Sequence, residues 1–535
     1  MSRTQLLKKS LYDEFEVRGY WWIPGTEDNV PGTLIRKKNR TTLEIFGKLE
    51  NSNQQIVRRI IPMEESSSVE EEILLETETE AEVETETGSE TVEEVETVEE
   101  VETENSDHGL PEVIWGFTEN GEEITILSYD LFNSKMNFPG FQVESYDVSE
   151  FLVGRHVLNV NELELESLSV EFTYMAKWLE VHALHTSAIF DEERFVGQQL
   201  QTVHPENMNI ELPSIDAVLE NTGIFNWNND RHEKADISFT SLFKLTANTS
   251  KGFEWYLDKI FSMQKLLTLL TGHSIYAKSI SFKGVEETEI IVGRERQVKK
   301  DYKWFYDQIN EVEIKEKIRP YDFTIQYPEI SELFPCIVNN WFEKESYLDV
   351  VYDLYTNEFY KTMNLTSTFL NYIQAIEVYH RRSFDGRIID EADYNVFQAT
   401  MREFIENEAP RELKPKLLNS LPFGNERTLS YRIKDLARSL QQETKLFLFN
   451  SDNSVPGRLF QRIVATRNYL THYDPNNQNI IETEDRYYAI QILKAFVTVL
   501  LFKELGMSEE FALNKLRQVR HLEDNLNESN QILEN

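Results

Sequence analysis

Arg467, Asn468 and His472 lie within six residues of one another in the stretch VATRNYLTHYDPNN (464–477). Asn468 and His472 are four residues apart, so on a helix they share a face. Arg467 stands about 100° round from Asn468, with a side chain long enough to bend to the same point. An imidazole can take or return a proton, and a guanidinium can hold the extra charge that a phosphate gains in a transition state. Together these groups suit cleavage of RNA without a metal. The ribose 2′-hydroxyl attacks the adjacent phosphate, the histidine moves the proton, and Asn468 orients the histidine or the phosphate. On spacing alone, a surface arginine and a histidine capping helix carbonyls fit the same residues. One helix supplies one histidine, whereas such cleavage works best with two proton-transfer groups. A symmetric dimer with two facing copies would provide the second.

The helix that must position them opens at Pro456 and Gly457 and is expected to end near Tyr473, because Pro475 keeps Asp474 out of helical geometry. Leu459, Ile463, Thr466 and Leu470 trace its core stripe. Arg458, Arg462 and Arg467 line the flank, and no carboxylate occurs between Asp452 and Asp474. In an acidic chain that makes a local cationic strip of the kind a phosphate backbone needs. Tyr473 and Asp474 are supporting candidates, for RNA contact or for helix-end packing. Upstream, Glu377 can pair with Arg381 one turn on. His380, Arg381 and Arg382 form a basic group able to join an RNA surface. His182 and His185 have a metal-like gap in VHALH, but no third ligand lies near and no HExxH occurs, so no metal is expected. The chain has no Walker loop, GxSxG elbow or dinucleotide fingerprint, and no cofactor is expected.

At 535 residues the chain should hold several domains, and its 40% hydrophobic content says that most of it is globular. The formal charge is −39, but residues 64–104 hold nineteen glutamates and no lysine or arginine. Subtracting them leaves −20, which still opposes general nucleic-acid binding and requires any RNA contact to be local. The glutamate-rich stretch reads as a solvated insertion at about 64–108 inside a domain, since strand-like sequence flanks it. Cys336 is the single cysteine, so no internal disulfide framework exists. The N-terminus lacks an apolar signal-peptide core, and the most apolar helical window, AFVTVLLF (495–502), is too short to span a membrane. A cytoplasmic protein without membrane contact is expected.

The fold class reads as α+β and multidomain. Residues 1–325 should be mainly β, with strands in 15–25, 32–50, 140–174 and 278–292, and with a hairpin over 113–127 turning at Asn120–Gly121. One helix, 252–272, interrupts them: Leu257, Ile260, Phe261, Leu267 and Leu270 fall at helical spacing and Gly272 can cap its end. The basic run GRERQVKKDYK (293–303) reads as a solvated linker between domains, or as an RNA or partner contact. Residues 326–535 should form an all-α bundle of six or seven helices, the last capped by Ser508 after Gly506.

The block RNYLTHYD resembles the R-N-x-x-x-H signature of the HEPN superfamily of α-helical ribonucleases. ATRNYLTHYDP, with FLNYIQAIEVYHRR (369–382) and LSYRIKDLARSL (429–440) upstream, resembles its Apea-like branch. GYWWIPG, PGTLI, LEIFGKLE and VIWGFTENGEEITIL resemble the β-rich domain that precedes HEPN in such proteins. The resemblance implies a metal-independent endoribonuclease that is dimeric through its HEPN domain, with Arg467 and His472 catalytic and Asn468 supporting; it also implies that an acidic residue of an early helix, here Glu377, can face the catalytic helix and pair with Arg467 or orient His472. It also implies a role in bacterial defence against phage, with a sensing N-terminal region whose phage or cellular trigger is unknown. The competing expectation is a non-catalytic scaffold or sensor that binds a ligand or phage component. Burial of Arg467, Asn468 and His472 in saturated hydrogen bonds would mark the scaffold; their exposure would favour the enzyme.

Overall fold

The structure is a computed structural model. It describes residues 6–49 (except 27 and 39), 113–136, 139–206, 208–229, 233–291, 294–308, 314–315, 317–451, 456–472 and 479–534. The glutamate-rich insertion, Tyr473 and Asp474 lie outside the described residues.

The N-terminal region begins with β1 (Phe15–Trp22), β2 (Val30–Lys37), β3 (Arg40–Ile45), β4 (Ile114–Thr118), β5 (Glu123–Met136) and β6 (Gln142–Val153). All pair antiparallel, and β6 bonds to both β3 and β5, so the ring β1-β2-β3-β6-β5-β4 closes into a six-stranded barrel. Closure removes both free edges of the sheet. Alternation in β1 turns Phe15, Val17 and Trp21 inward and leaves Glu16, Arg18 and Tyr20 outside. Trp21 fills the barrel opposite Gly116, where an added Cβ would come within 2.3 Å of the indole ring. The β4–β5 hairpin turns where the sequence places it, but only Gly121 has a positive φ, 85°. The Gly121 amide donates to the Thr118 carbonyl at 2.9 Å and the Thr118 amide to that of Glu122 at 3.0 Å, a type I turn with a glycine bulge.

A second, open sheet branches from β6, whose far end pairs with β14 (Arg294–Tyr306) once β3 has ended. Its order is β10 (Asn209–Leu212), β11 (Ala217–Asn229), β12 (Ala235–Lys251), β7 (Leu165–Phe172), β13 (Ala277–Ile291), β14. β8 (Leu184–Asp191) and β9 (Arg194–Thr202) make a separate hairpin. Residues 294–303 of the basic run are therefore strand and not linker: the outer half of β14 is exposed and held by pairing with β13, while Tyr302 to Phe305 are buried. A short helix α1 (Met175–Trp178) precedes α2 (Phe253–Thr271), which lays Phe253, Tyr256, Ile260 and Leu267 against the sheet. Phe253 meets Phe282 at 5.2 Å and Trp304 at 5.7 Å between ring centres. Phe261 lies at the margin of that face, 37% exposed, and Gly272 ends the helix at φ 69°.

After the single turn α3 (Tyr327–Ile330), α4 (Phe334–Tyr360) joins the two halves. Its Trp341 indole donates to Ser262 of α2 at 2.8 Å, and Glu345 pairs with Lys259 at 2.8 Å. The helices that follow are α5 (Leu365–Ser383), α6 (Glu391–Glu408), α7 (Lys414–Ser420), α8 (Leu429–Ser439), α9 (Gln442–Phe449), α10 (Gly457–His472), α11 (Arg486–Glu504), α12 (Glu509–Gln518) and α13 (Leu522–Glu534). The apolar window 495–502 is the heart of α11, which is buried along most of its length. Gly506 takes φ 88° after it, and the Ser508 hydroxyl accepts from the Phe511 amide at 3.1 Å to start α12. Among the described residues no helix is long and apolar enough to cross a membrane.

Candidate active site

α10 follows Pro456 and buries the expected stripe Leu459, Ile463, Thr466 and Leu470, together with Phe460. The Thr466 hydroxyl donates to the Arg462 carbonyl at 2.7 Å and accepts the Ile481 amide at 2.7 Å. It thus ties the returning chain to the helix and fixes the rotation of the whole element.

That rotation leaves Asn468 and His472 exposed and the Arg467 side chain 32% exposed. One Arg467 amine lies 3.3 Å from a Glu377 oxygen on α5, and the other donates to the Asn468 side-chain oxygen at 3.4 Å. The second Glu377 oxygen accepts from Arg381 at 3.2 Å. Both pairings open to Glu377 in the sequence are therefore made at once, by a carboxylate that is 17% exposed.

The chain of charges continues inward. Arg381 reaches Glu426 at 3.0 Å, and Glu426 lies 3.6 Å from the buried Arg432 of α8. Arg432 donates to the Arg427 carbonyl at 2.9 Å and approaches His380 Nδ1 at 3.5 Å. His380 Nε2 meets Asp435 at 3.0 Å. Burial lowers the His380 pKa, and the Arg432 charge adds to this against the pull of Asp435. Burial likewise lowers that of Arg432, helped by Arg381. The three arginines alternate with three carboxylates, so Arg467 is the outermost member of a neutral network that pins α5, α8 and α10 together.

The remaining candidates sit elsewhere. His380 is wholly buried and presents nothing to solvent. Arg382 turns to the middle of α4, donating to the Tyr347 carbonyl at 2.7 Å and to Asp349 at 2.6 Å. Arg462 donates to the Leu533 carbonyl of α13 at 2.6 Å, which leaves Arg458, exposed, and Arg467 as the outer members of the expected cationic strip. Arg432, Glu426 and Asp435 were not singled out by sequence reasoning. The available signal was Arg432 and Asp435 each directly preceding a buried apolar residue, Ile433 and Leu436, on one short helix. Among the described residues no group of three or more His, Cys, Asp or Glu is placed to hold a metal ion.

The family model for ApeA N-terminal domain 1 matches residues 16–341, and that for Apea-like HEPN matches residues 370–511. The first covers the barrel, the open sheet and the start of α4; the second runs from α5 into α12 and contains every residue of the charge network. No curated protein and no solved structure matches the chain. With the N-terminal match covering more than half of its length and the HEPN match following it, the chain belongs to the ApeA family, a β-rich ApeA N-terminal domain followed by an Apea-like HEPN domain.

Proposed function

We propose that the chain is a metal-independent endoribonuclease of the HEPN type. The observation that carries this reading is the solvent-facing group at the end of α10: Asn468 and His472 exposed, with Arg467 part-exposed and tethered by Glu377. A phosphate that approaches this end meets a guanidinium whose charge is only partly matched, and an imidazole free to move a proton. The 2′-hydroxyl attacks the phosphorus, His472 accepts or returns the proton, and Arg467 stabilises the added negative charge. The products are a 2′,3′-cyclic phosphate and a 5′-hydroxyl. A second copy docked through the HEPN domain supplies the second histidine. In this reading the enzyme acts in the bacterial cytoplasm, against phage, and stays quiet until a trigger engages the N-terminal region. The exposure of Asn468 and His472 speaks against a purely structural scaffold, which would bury them. The test is RNA cleavage by Arg467→Ala and His472→Ala variants whose melting temperature and oligomeric state match those of the natural chain. Loss of at least a hundredfold in both supports the reading; unchanged cleavage by both removes it.

A further inference from the structure

The outer wall of the barrel carries a row of rings set by strand register. Tyr20 on β1 stands opposite Pro31 on β2 and, on its other side, opposite Phe117 on β4. Phe46, whose amide donates to the Pro31 carbonyl at 2.8 Å, extends the row beyond β3. Tyr20, Phe46 and Phe117 are 58, 42 and 46% exposed and line one continuous face, the arrangement that marks an interaction surface. They border a depression of about 700 Å³. At about 4.8 Å between strands the row is roughly 15 Å long, the span of about five residues of extended polyproline-type chain.

The neighbouring row decides which chain. Arg18 pairs with Thr33, and Thr33 with Glu44, while the Glu119 amide bonds the Arg18 carbonyl at 2.9 Å. Arg18 has Glu16 beside it at 3.9 Å, but the carboxylates of Glu44 and Glu119 have no ion pair or hydrogen bond among the described residues. A single-stranded nucleic acid would also stack on rings, yet it needs a cationic groove, and this one has three carboxylates to one guanidinium. A cation beside a ring face, with an unmatched carboxylate one strand away, is favourable.

We propose that this face of the barrel docks an extended, arginine- or lysine-bearing and proline-rich polypeptide segment of a partner protein. The rings take the apolar part of the segment, and Glu44 and Glu119 take its cations. The site is independent of the ribonuclease reading, because nothing in it touches α10.

The test is fluorescence anisotropy on the full chain at physiological salt with three labelled probes: a ten-residue alternating Arg-Pro peptide, its Glu-Pro counterpart, and U10 RNA. The Arg-Pro probe should bind at least tenfold more tightly than the other two. Tyr20→Ala and Phe117→Ala should each weaken it at least tenfold, and Glu44→Gln about threefold with a shallower salt dependence. His472→Ala should leave it unchanged, so failure here does not count against RNA cleavage, nor the reverse. Equal binding of the two peptides, Arg-Pro binding untouched by the ring variants (as capture by the glutamate-rich stretch would give), or U10 binding that Tyr20→Ala removes would each overturn the proposal.

Discussion

Glu377→Gln is the most informative perturbation of the site, because one carboxylate serves two arginines. Its oxygens lie 3.2 Å from Arg381 and 3.3 Å from Arg467. Both contacts are longer than the ~2.8 Å of a strong charge-assisted bond, and the two arginine side chains are 48 and 32% exposed. Solvent screening therefore keeps each near the surface value, and the two together contribute about 1 kcal/mol to stability. That predicts a fall of roughly 2–4 °C in melting temperature, too little to unfold the bundle. On the ribonuclease reading, the catalytic effect is larger in proportion. A guanidinium released from its tether must be reoriented at each turnover, which should lower kcat about tenfold, equivalent to about 1.4 kcal/mol. KM should hold or fall, since the substitution removes a negative charge beside the incoming phosphate. Steady-state cleavage of a fluorophore–quencher RNA, alongside differential scanning fluorimetry, reads both effects. A stability loss with kcat and KM unchanged would confine Glu377 to a structural role and refute the positioning argument.

Three further outcomes follow from the same reasoning. Lys303 on β14 is 3% exposed, bonded to Ser279, and burial lowers its pKa from the ordinary 10.5 to about 8. The folded form thus binds its proton more weakly than the unfolded chain, a penalty of roughly 3 kcal/mol that is fully present below pH 8 and relieved as pH rises towards 10.5; Lys303→Met should raise the melting temperature at pH 7, with a gain that shrinks by pH 10, and a destabilised variant at pH 7 would contradict this. Gly116→Ala forces a methyl to within 2.3 Å of Trp21 and should cost about 2–3 kcal/mol, read as a lower urea midpoint; an unchanged midpoint would show that the barrel can give way there. Arg462→Ala should loosen α13 by about 1 kcal/mol while leaving KM for RNA within twofold, because its guanidinium is spent on the Leu533 carbonyl; a large rise in KM would return it to the RNA surface.

Where local pattern and burial coincide, the structure was legible in the sequence. The α10 stripe, the β4–β5 turn, the glycine ending α2 and the serine starting α12 all follow from residues within a few positions of one another. The basic strand β14 was not legible, because half of it faces solvent and its order comes from pairing with β13. Barrel closure is invisible for the same reason: it depends on β6 pairing with β5 along one edge and with the distant β3 along the other, a non-local choice. In the site, Asn468 and His472 lie four residues apart on α10 and are both exposed. His380, a candidate for an RNA surface because a histidine beside two arginines looks basic and solvated, is buried instead. Its burial is sustained by Asp435 and Arg432, more than fifty residues away in sequence.

The central claim is most directly tested by the chemistry of RNA ends. The natural chain and His472→Ala would be incubated with RNA in excess chelator, with and without extract from phage-infected cells, and the new termini analysed. The account predicts 2′,3′-cyclic phosphate and 5′-hydroxyl ends that appear with the natural chain and are absent with His472→Ala. Ends of that kind produced equally by both proteins, or cleavage that the chelator abolishes, would contradict it.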